Sequence, residues 1–326
     1  MKILVIDSGT TTSRVRLTDG RDVLGSARRQ VGARDVARTG STEILKQALK
    51  TCIEDVLAAC RMELSDIEGI VASGMITSNM GLKEIPHLPA PVGLDQLAAH
   101  LEQEVFPEIA DKPILFIPGV KTGFDGEQSI EAKDMMRGEE AEIFGYLESL
   151  GEAANEPVLF MHYGSHHKGI RLDNGQITEC RTSVTGELMM AVEENTILRS
   201  SLIPVQELNP DMEWVRKGLS VAESCGFGRA LFSTRVCDTM EKRSKRESTS
   251  FFVGVLLSLD FAMLSDLLNR KTRRVVLYGK ELYPSVFAPL LRERYPDLVV
   301  DVISEQESDT LSVKGAAIIY QRFIRK

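Results

Sequence analysis

The amino-acid sequence predicts an α/β chain made of two related mixed-sheet lobes around a cleft. Three observations carry that expectation. The chain has 326 residues, room for two domains of ordinary size. Its first 60 residues read as three strands followed by a helix. The same order of apolar strand, polar turn, strand, Asp-Gly type turn, strand and helix begins again near residue 157. The repeat is one of pattern, without matching residues. A boundary between 152 and 153 follows, because the stretch from Gly151 to Pro157 interrupts helical character.

Residues 2–7 are an apolar run ending in Asp7. Residues 13–18 alternate, with Val15 and Leu17 on one face and Arg14 and Arg16 on the other. Asp19-Gly20 marks a hairpin turn, and 22–30 makes a third strand. Apolar residues at helical spacing from Ile44 to Cys60 predict a helix over 42–60. A buried strand at 67–73 runs into a Gly- and Pro-rich loop over 74–94. A helix at 95–104, a strand at 113–117, a loop over 118–138 and a helix at 139–150 complete the first half. The second half opens with strands at 157–162, 169–172 and 176–182, the last two joined by Asp173-Asn174-Gly175. Helices follow at 187–198, 211–222, 226–241 and 248–268. The end is read as strand 274–278, helix 284–294, strand 298–302 and helix 309–324. The apolar stretch 251–268 contains Asp260 and Asp266, so it is read as a buried helix and not a membrane span.

Composition narrows the function classes. Lys and Arg total 39 against 47 Asp and Glu, a formal charge of −8, which argues against general nucleic-acid binding. Five widely spaced Cys without a C-x-x-C pair fit reduced thiols better than a disulfide frame. The opening Ile3-Leu4-Val5-Ile6 is too short for the apolar region of a signal peptide. A cytoplasmic protein with no nucleic-acid or membrane partner is expected, and a homodimer is left open.

Three segments have residue types that could do chemistry. Asp7-Ser8-Gly9-Thr10-Thr11-Thr12 joins a strand-end carboxylate, a glycine and several hydroxyls. Such a turn can wrap phosphate oxygens, with Asp7 holding Mg²⁺ directly or through water. A plain hairpin turn explains the same residues equally well. There is no G-x-x-x-x-G-K-[ST] and no G-x-S-x-G. The second turn, from His162 through Gly164, Ser165, His166 and His167 to Lys168, could face the other side of a polyphosphate. Its histidines do not have metal-ligand spacing, and ordinary hydrogen-bonding histidines account for them better. The third segment is Asp134-Met135-Met136-Arg137-Gly138-Glu139-Glu140. It offers Asp134 or Glu139 as a general base and Arg137 as an anion contact, and a solvated helix start is the competing reading.

Taken in order, these segments resemble the 2-dehydro-3-deoxygalactonokinase family. Asp7-Ser8-Gly9-Thr10-Thr11 with Arg14 looks like its D-W-G-T-T loop. Ser73-Gly74-Met75 through Gly81, then Pro86 to Pro91, looks like its substrate loop. Ile117-Pro118-Gly119-Val120 and the stretch from Asp134 to Glu140 resemble its I-P-G-V and D-V-M-R-G-E-E pair. Tyr163 through Lys168 resembles P-G-T-H-S-K-W, Thr185-Gly186-Glu187-Leu188 resembles T-G-E-L, and Phe227 through Arg235 resembles a later helix.

The resemblance implies the bilobal, ribonuclease-H-like fold of actin/hexokinase-like ATPases. It also implies an ATP- and Mg²⁺-dependent kinase of a 2-keto-3-deoxy sugar acid, as in galactonate degradation. Under it, Asp7 positions Mg²⁺, and Gly9, Thr10, Thr11, Gly164, Ser165 and Lys168 meet phosphates. Met75, Ser78, Asn79 and Arg137 meet the sugar acid, and Asp134 or Glu139 is the base. Ser8, His167, Gly169, Asn79 and Leu82 depart from the family pattern at positions expected in the cleft. The alternative they raise is a non-catalytic sugar-acid or nucleotide-binding relative with a regulatory role.

Overall fold

The computed structural model describes residues 1–124, 126, 129–151 and 155–325. The chain divides into two compact units. The first is Met1–Glu156 with Leu172–Cys180 and Gln306–Lys326; the second is Pro157–Arg171 with Arg181–Glu305. The boundary expected at 152/153 lies outside the described residues.

In the first unit, β1 (Ile3–Ser8), β2 (Ser13–Thr18) and β3 (Val23–Arg29) form an antiparallel meander. Helices α1 (Ala33–Thr39) and α2 (Glu43–Cys60) follow, then β4 (Gly69–Gly74). Next come β5 (Leu88–Pro89), α3 (Leu94–Ala99), β6 (Glu102–Phe106) and β7 (Ala110–Phe116). β8 (Val120–Thr122), β9 (Asp134–Met136) and α4 (Glu139–Leu150) close the segment. The main sheet runs β3-β2-β1-β4-β7-β6, and a small one runs β5-β8-β9. β1 is central, parallel to β4, and buried on both faces from Ile3 to Ile6, which explains its unbroken apolar run. Val15 and Leu17 meet the α2 stripe of Leu45, Leu49, Cys52 and Val56 in one core.

The pattern opens again with β10 (Val158–Tyr163), β11 (His167–Asp173) and β12 (Gln176–Ser183), of which residues 172–180 at the β11–β12 hairpin belong to the first unit and the rest to the second. Helices α5 (Thr185–Asn195), α6 (Met212–Cys225), α7 (Phe227–Thr239) and α8 (Lys245–Leu267) follow. β13 (Arg274–Gly279), α9 (Leu282–Arg294) and β14 (Val299–Val302) complete it. This sheet runs β12-β11-β10-β13-β14, the order that β3-β2-β1-β4-β7 has in the first unit. In both, the second strand pairs away from the first and the later strands add in parallel on its other side. The pattern read from sequence is thus a repeat of topology.

α8 has the length and apolarity to cross a membrane. Here it is the core helix of its unit, with Phe251 to Leu257 buried apart from solvent. Its start is fixed by a capping box in which Ser244 and Glu247 bond reciprocally. The closing helix, α10 (Glu305–Ile324), returns to the first unit. There Arg14 Nη1 donates to Asp309 at 2.7 Å, and Tyr320 Oη donates to the Glu68 carbonyl at 3.0 Å. α10 crosses α4 backbone to backbone, since a Cβ on Gly315 would lie 1.7 Å from the Ala141 carbonyl oxygen.

Sequence reasoning placed most elements and missed three features. α1 has only seven residues and too few apolar positions to show a stripe. The helix expected over 95–104 ends at Ala99, and Glu102 starts β6, a mostly exposed edge strand. An edge strand buries too little for alternation to mark it. Lys83 reaches Glu102 and Glu104 at 3.2 and 3.1 Å, so its charges are used across the sheet edge. The loop expected over 118–138 contains β8 and β9, whose pairing depends on partners remote in sequence.

Candidate active site

In the first unit, the β1–β2 turn is closed by Gly9 N donating to Thr12 O at 2.9 Å, leaving Thr10 and Thr11 exposed. Helix α1 starts directly against it. Ala33 N and Arg34 N donate to the carbonyls of Gly9 and Thr10 at 3.1 and 2.9 Å. First-turn amides of a helix lack partners of their own, so these bonds fix both helix and turn. Gly32 makes the approach possible, because a Cβ there would lie 2.6 Å from Gly9 O and Thr10 O. Ser8 is buried and shares a 2.8 Å hydrogen bond with Ser13, whose hydroxyl donates to Val31 O.

Asp7 is the penultimate residue of β1, beside this turn. Burial pushes its carboxyl pKa up, against the pull of Arg16 and then Arg14. Its neighbour on β4 is Ser73, and the next pair is Ser8 and Gly74. Gly74 has φ +89°, and a Cβ there would lie 2.6 Å from Ser8 O and 3.6 Å from Asp7 Oδ1. Gly138, at φ +111°, stacks on Gly74, its Cβ position 3.3 Å from the Gly74 Cα. The turn, the loop that starts at Gly74 and the segment from Asp134 to Glu140 therefore converge at one corner of the first unit.

Around that corner, Arg137 holds the loop that follows β4. Nη1 donates to Thr77 Oγ1 at 2.8 Å, and Nη2 donates to the Ile85 carbonyl at 2.7 Å and lies 3.3 Å from His87 Nδ1. Burial lowers its pKa, opposed by Glu140 and Glu84. Ser78 is buried, donating to Met75 O at 2.7 Å, while Met75 is half-buried and Asn79 exposed. Glu139 starts α4, accepts from Arg137 N at 3.1 Å, and bears electrostatically on Asp7. Asp134 starts β9 opposite Thr122, with Oδ1 accepting from Met135 N at 2.6 Å. Glu140, absent from the sequence-derived site, is buried and accepts from Val120 N and Gly138 N at 3.0 and 2.6 Å. Burial, followed by Glu139, raises its pKa to about 7.

The second unit repeats the device. Glu187 N, in the first turn of α5, donates to Ser165 O at 3.0 Å. A Cβ on Gly186 would lie 2.6 Å from the carbonyl oxygens of Gly164 and Ser165. Gly279, at φ +111°, backs onto Tyr163 O as Gly74 backs onto Ser8 O. Ser165 is exposed at the turn. Lys168 is not in the turn; it is the second residue of β11, 9% exposed, and Nζ donates to Thr182 Oγ1 at 2.9 Å.

His167 is fully buried, its Nδ1 3.0 Å from both oxygens of Asp260, which Thr185 Oγ1 also approaches at 3.4 Å. Burial raises the Asp260 pKa, opposed by His167. A lone acid within the apolar run of α8 was the sequence signal for such a partner. His167 and Gly169 thus face the core of their unit, and Leu82 packs on the core of the first. Their departures from the family pattern change packing, while Asn79 is exposed.

A family model described as 2-keto-3-deoxy-galactonokinase matches residues 7–306. The chain belongs to the 2-keto-3-deoxy-galactonokinase family. It is 24% identical over 283 residues to a 2-dehydro-3-deoxygalactonokinase of Escherichia coli, covering 86% of each chain. It is 28% identical over 261 residues to a probable 2-dehydro-3-deoxygalactonokinase of Rhizobium meliloti, covering 79% of this chain and 78% of that one. A crystal structure from Sinorhizobium meliloti, itself only provisionally assigned as such a kinase, superposes with a TM-score of 0.75 at 23% identity, over 97% of this chain and 98% of that one. This 2-keto-3-deoxy-galactonokinase family member shares the fold of that crystal structure, and the order β3-β2-β1-β4-β7 of its first sheet recurs in the second as β12-β11-β10-β13-β14.

Among the described residues, no group of three or more His, Cys, Asp or Glu is placed to hold a metal ion. A Mg²⁺ ion that keeps most of its waters and takes oxygens from a nucleotide needs few protein ligands. The single strand-end carboxylate of Asp7 beside an open glycine corner suits that requirement.

Proposed function

We propose that the chain transfers the γ-phosphoryl group of ATP to a hydroxyl of a 2-keto-3-deoxy sugar acid. Membership of the family supports this, and the relatives do not favour the non-catalytic alternative. The observation that carries it is the duplicated glycine-backed turn, Gly9-Thr10-Thr11 with Gly32 and Gly164-Ser165 with Gly186. Rigid turns presenting backbone and hydroxyl donors suit phosphoryl transfer, in which positioning and charge stabilisation do most of the work.

In this reading Gly9, Thr10 and Thr11 bind phosphate oxygens, and Gly164 and Ser165 do so on the second unit. A bound Mg²⁺, held by Asp7 and its own waters, would offset phosphate charge. Met75, Ser78 and Asn79 form the sugar-acid loop, and Arg137 positions that loop through Thr77 and Ile85. Lys168 anchors the strand that follows the second turn. Glu139 accepts the proton of the attacking hydroxyl as the new P–O bond forms and the bond to ADP breaks. Asp134 is the competing base.

The test is coupled detection of ADP with a panel of 2-keto-3-deoxy sugar acids. Glu139→Gln should lower kcat by about 10²-fold or more with KM little changed, and Asp134→Asn should not. The reverse pattern would move the base to Asp134. Absence of turnover with every sugar acid, at normal ATP binding, would overturn the kinase reading.

A further inference from the structure

Beyond the first turn, the first unit has a second cluster of charge, which starts at Arg14 opposite Asp7 on β1. Arg14 and Arg28 stand directly opposite each other on β2 and β3, and Arg16 lies two residues along on the same face. Like charges placed opposite on paired strands repel. Among the described residues the carboxylates that answer them are Asp309 of α10, 2.7 Å from Arg14 and 3.8 Å from Arg16, and Asp7, which bears electrostatically on Arg16. Arg16 is 6% exposed and its Nη1 also donates to Ser312 at 3.3 Å. Arg28 is exposed, with no ion-pair partner among the described residues.

These groups line a cavity of about 390 Å³ together with Ser26, Asp309 and Thr310. No residue of the Gly9–Thr12 turn lines it. Three guanidinium groups therefore meet one carboxylate around a space of small-molecule size.

We propose that this pocket is a second anion site for a small metabolite carrying both a phosphate and a carboxylate. Guanidinium forks match both groups bidentately. The cross-strand pair Arg14–Arg28 and the next row, Arg16, are separated along the sheet, so two anionic groups on one molecule match them better than one. The volume likewise exceeds what inorganic phosphate fills. An anion bound here relieves the Arg14–Arg28 repulsion and competes with Asp7 for the two guanidiniums that pull on it, linking the pocket to the strand that ends the proposed active site.

The test is calorimetric titration at low salt with 6-phosphogluconate, inorganic phosphate and gluconate as probes. 6-Phosphogluconate should bind more tightly than either of the others. Arg28→Ala should weaken it about tenfold, the loss of one charge-assisted partner, and Arg28→Glu should abolish it. Both variants should melt no lower than the parent, since each removes the Arg14–Arg28 repulsion, and keep its kcat and KM for ATP without the probe. Binding unchanged in the Arg28 variants, as expected if the probe entered the kinase site, would overturn the proposal, as would no binding to the parent. The binding readout stands whether or not the chain phosphorylates a sugar acid.

Discussion

Gly32→Ala tests the central structural argument, because the backbone at residue 32 suits any residue. Its φ is −154°, so only space forbids a side chain. The new Cβ would sit 2.6 Å from Gly9 O, Thr10 C and Thr10 O, where ordinary contact begins at 3.4 Å. Helix α1 and the turn must separate by about 0.8 Å, and overpacking of this kind costs ~1–3 kcal/mol. The separation also stretches the bonds from Ala33 N and Arg34 N, each worth about 1 kcal/mol net. A total near 3 kcal/mol is expected, read as a lower urea midpoint at unchanged slope. A displacement of that size at a turn proposed to bind phosphate should cut kcat/KM for ATP by up to about 10²-fold. Gly40→Ala is the control. Gly40 has φ +67° with no atom within 4 Å of its Cβ position, so strain of about 1 kcal/mol should appear with no kinetic effect. Normal kcat/KM in Gly32→Ala, or an equal loss in Gly40→Ala, would refute the reasoning.

Gly186→Ala should behave as Gly32→Ala does, since its Cβ meets the second turn at the same 2.6 Å; melting and ATP kinetics report it. Glu140 predicts a pH dependence. Burial lifts its pKa from 4.5 to about 7, so the folded state keeps a proton that the unfolded chain releases between those values. Its contribution to stability is full below pH 4.5 and lost by about pH 7, ~3 kcal/mol in all. The urea-stability difference between parent and Glu140→Gln should show that slope, and a flat difference would contradict it. Arg137→Lys loses the fork that spans Thr77 and the Ile85 carbonyl. It should raise KM for the sugar acid about tenfold while KM for ATP holds, measured by steady-state kinetics.

How much of this was legible in the sequence depended on whether the signal was local. β1 showed itself as an unbroken apolar run and α2 as a stripe. α4 matched at both ends because Gly138 precedes three acids in its first turn. The strand-end turns were visible for the same reason. The supports beneath them were not, since Gly32 and Gly186 matter only through carbonyls that folding brings against them. Lys168 was placed in a turn because its neighbours are turn formers, yet strand pairing begins at His167. His167 and Asp260 are 93 residues apart, and only the fold shows that a departure from the family pattern is a buried partner to a buried acid. Glu140 looked like helix-start charge until its burial appeared.

The return of α10 to the first unit has a consequence for the order in which the molecule can form. Arg14 and Arg16 are made nearly 300 residues before Asp309 and Ser312. At about 5–20 residues per second, the first sheet waits many seconds with that face uncovered. The second unit, by contrast, takes most of its chain from the continuous run 181–305. The first unit is therefore completed after most of the second has been made, and a newly made molecule stays vulnerable to proteases at β2 and β3 until α10 docks.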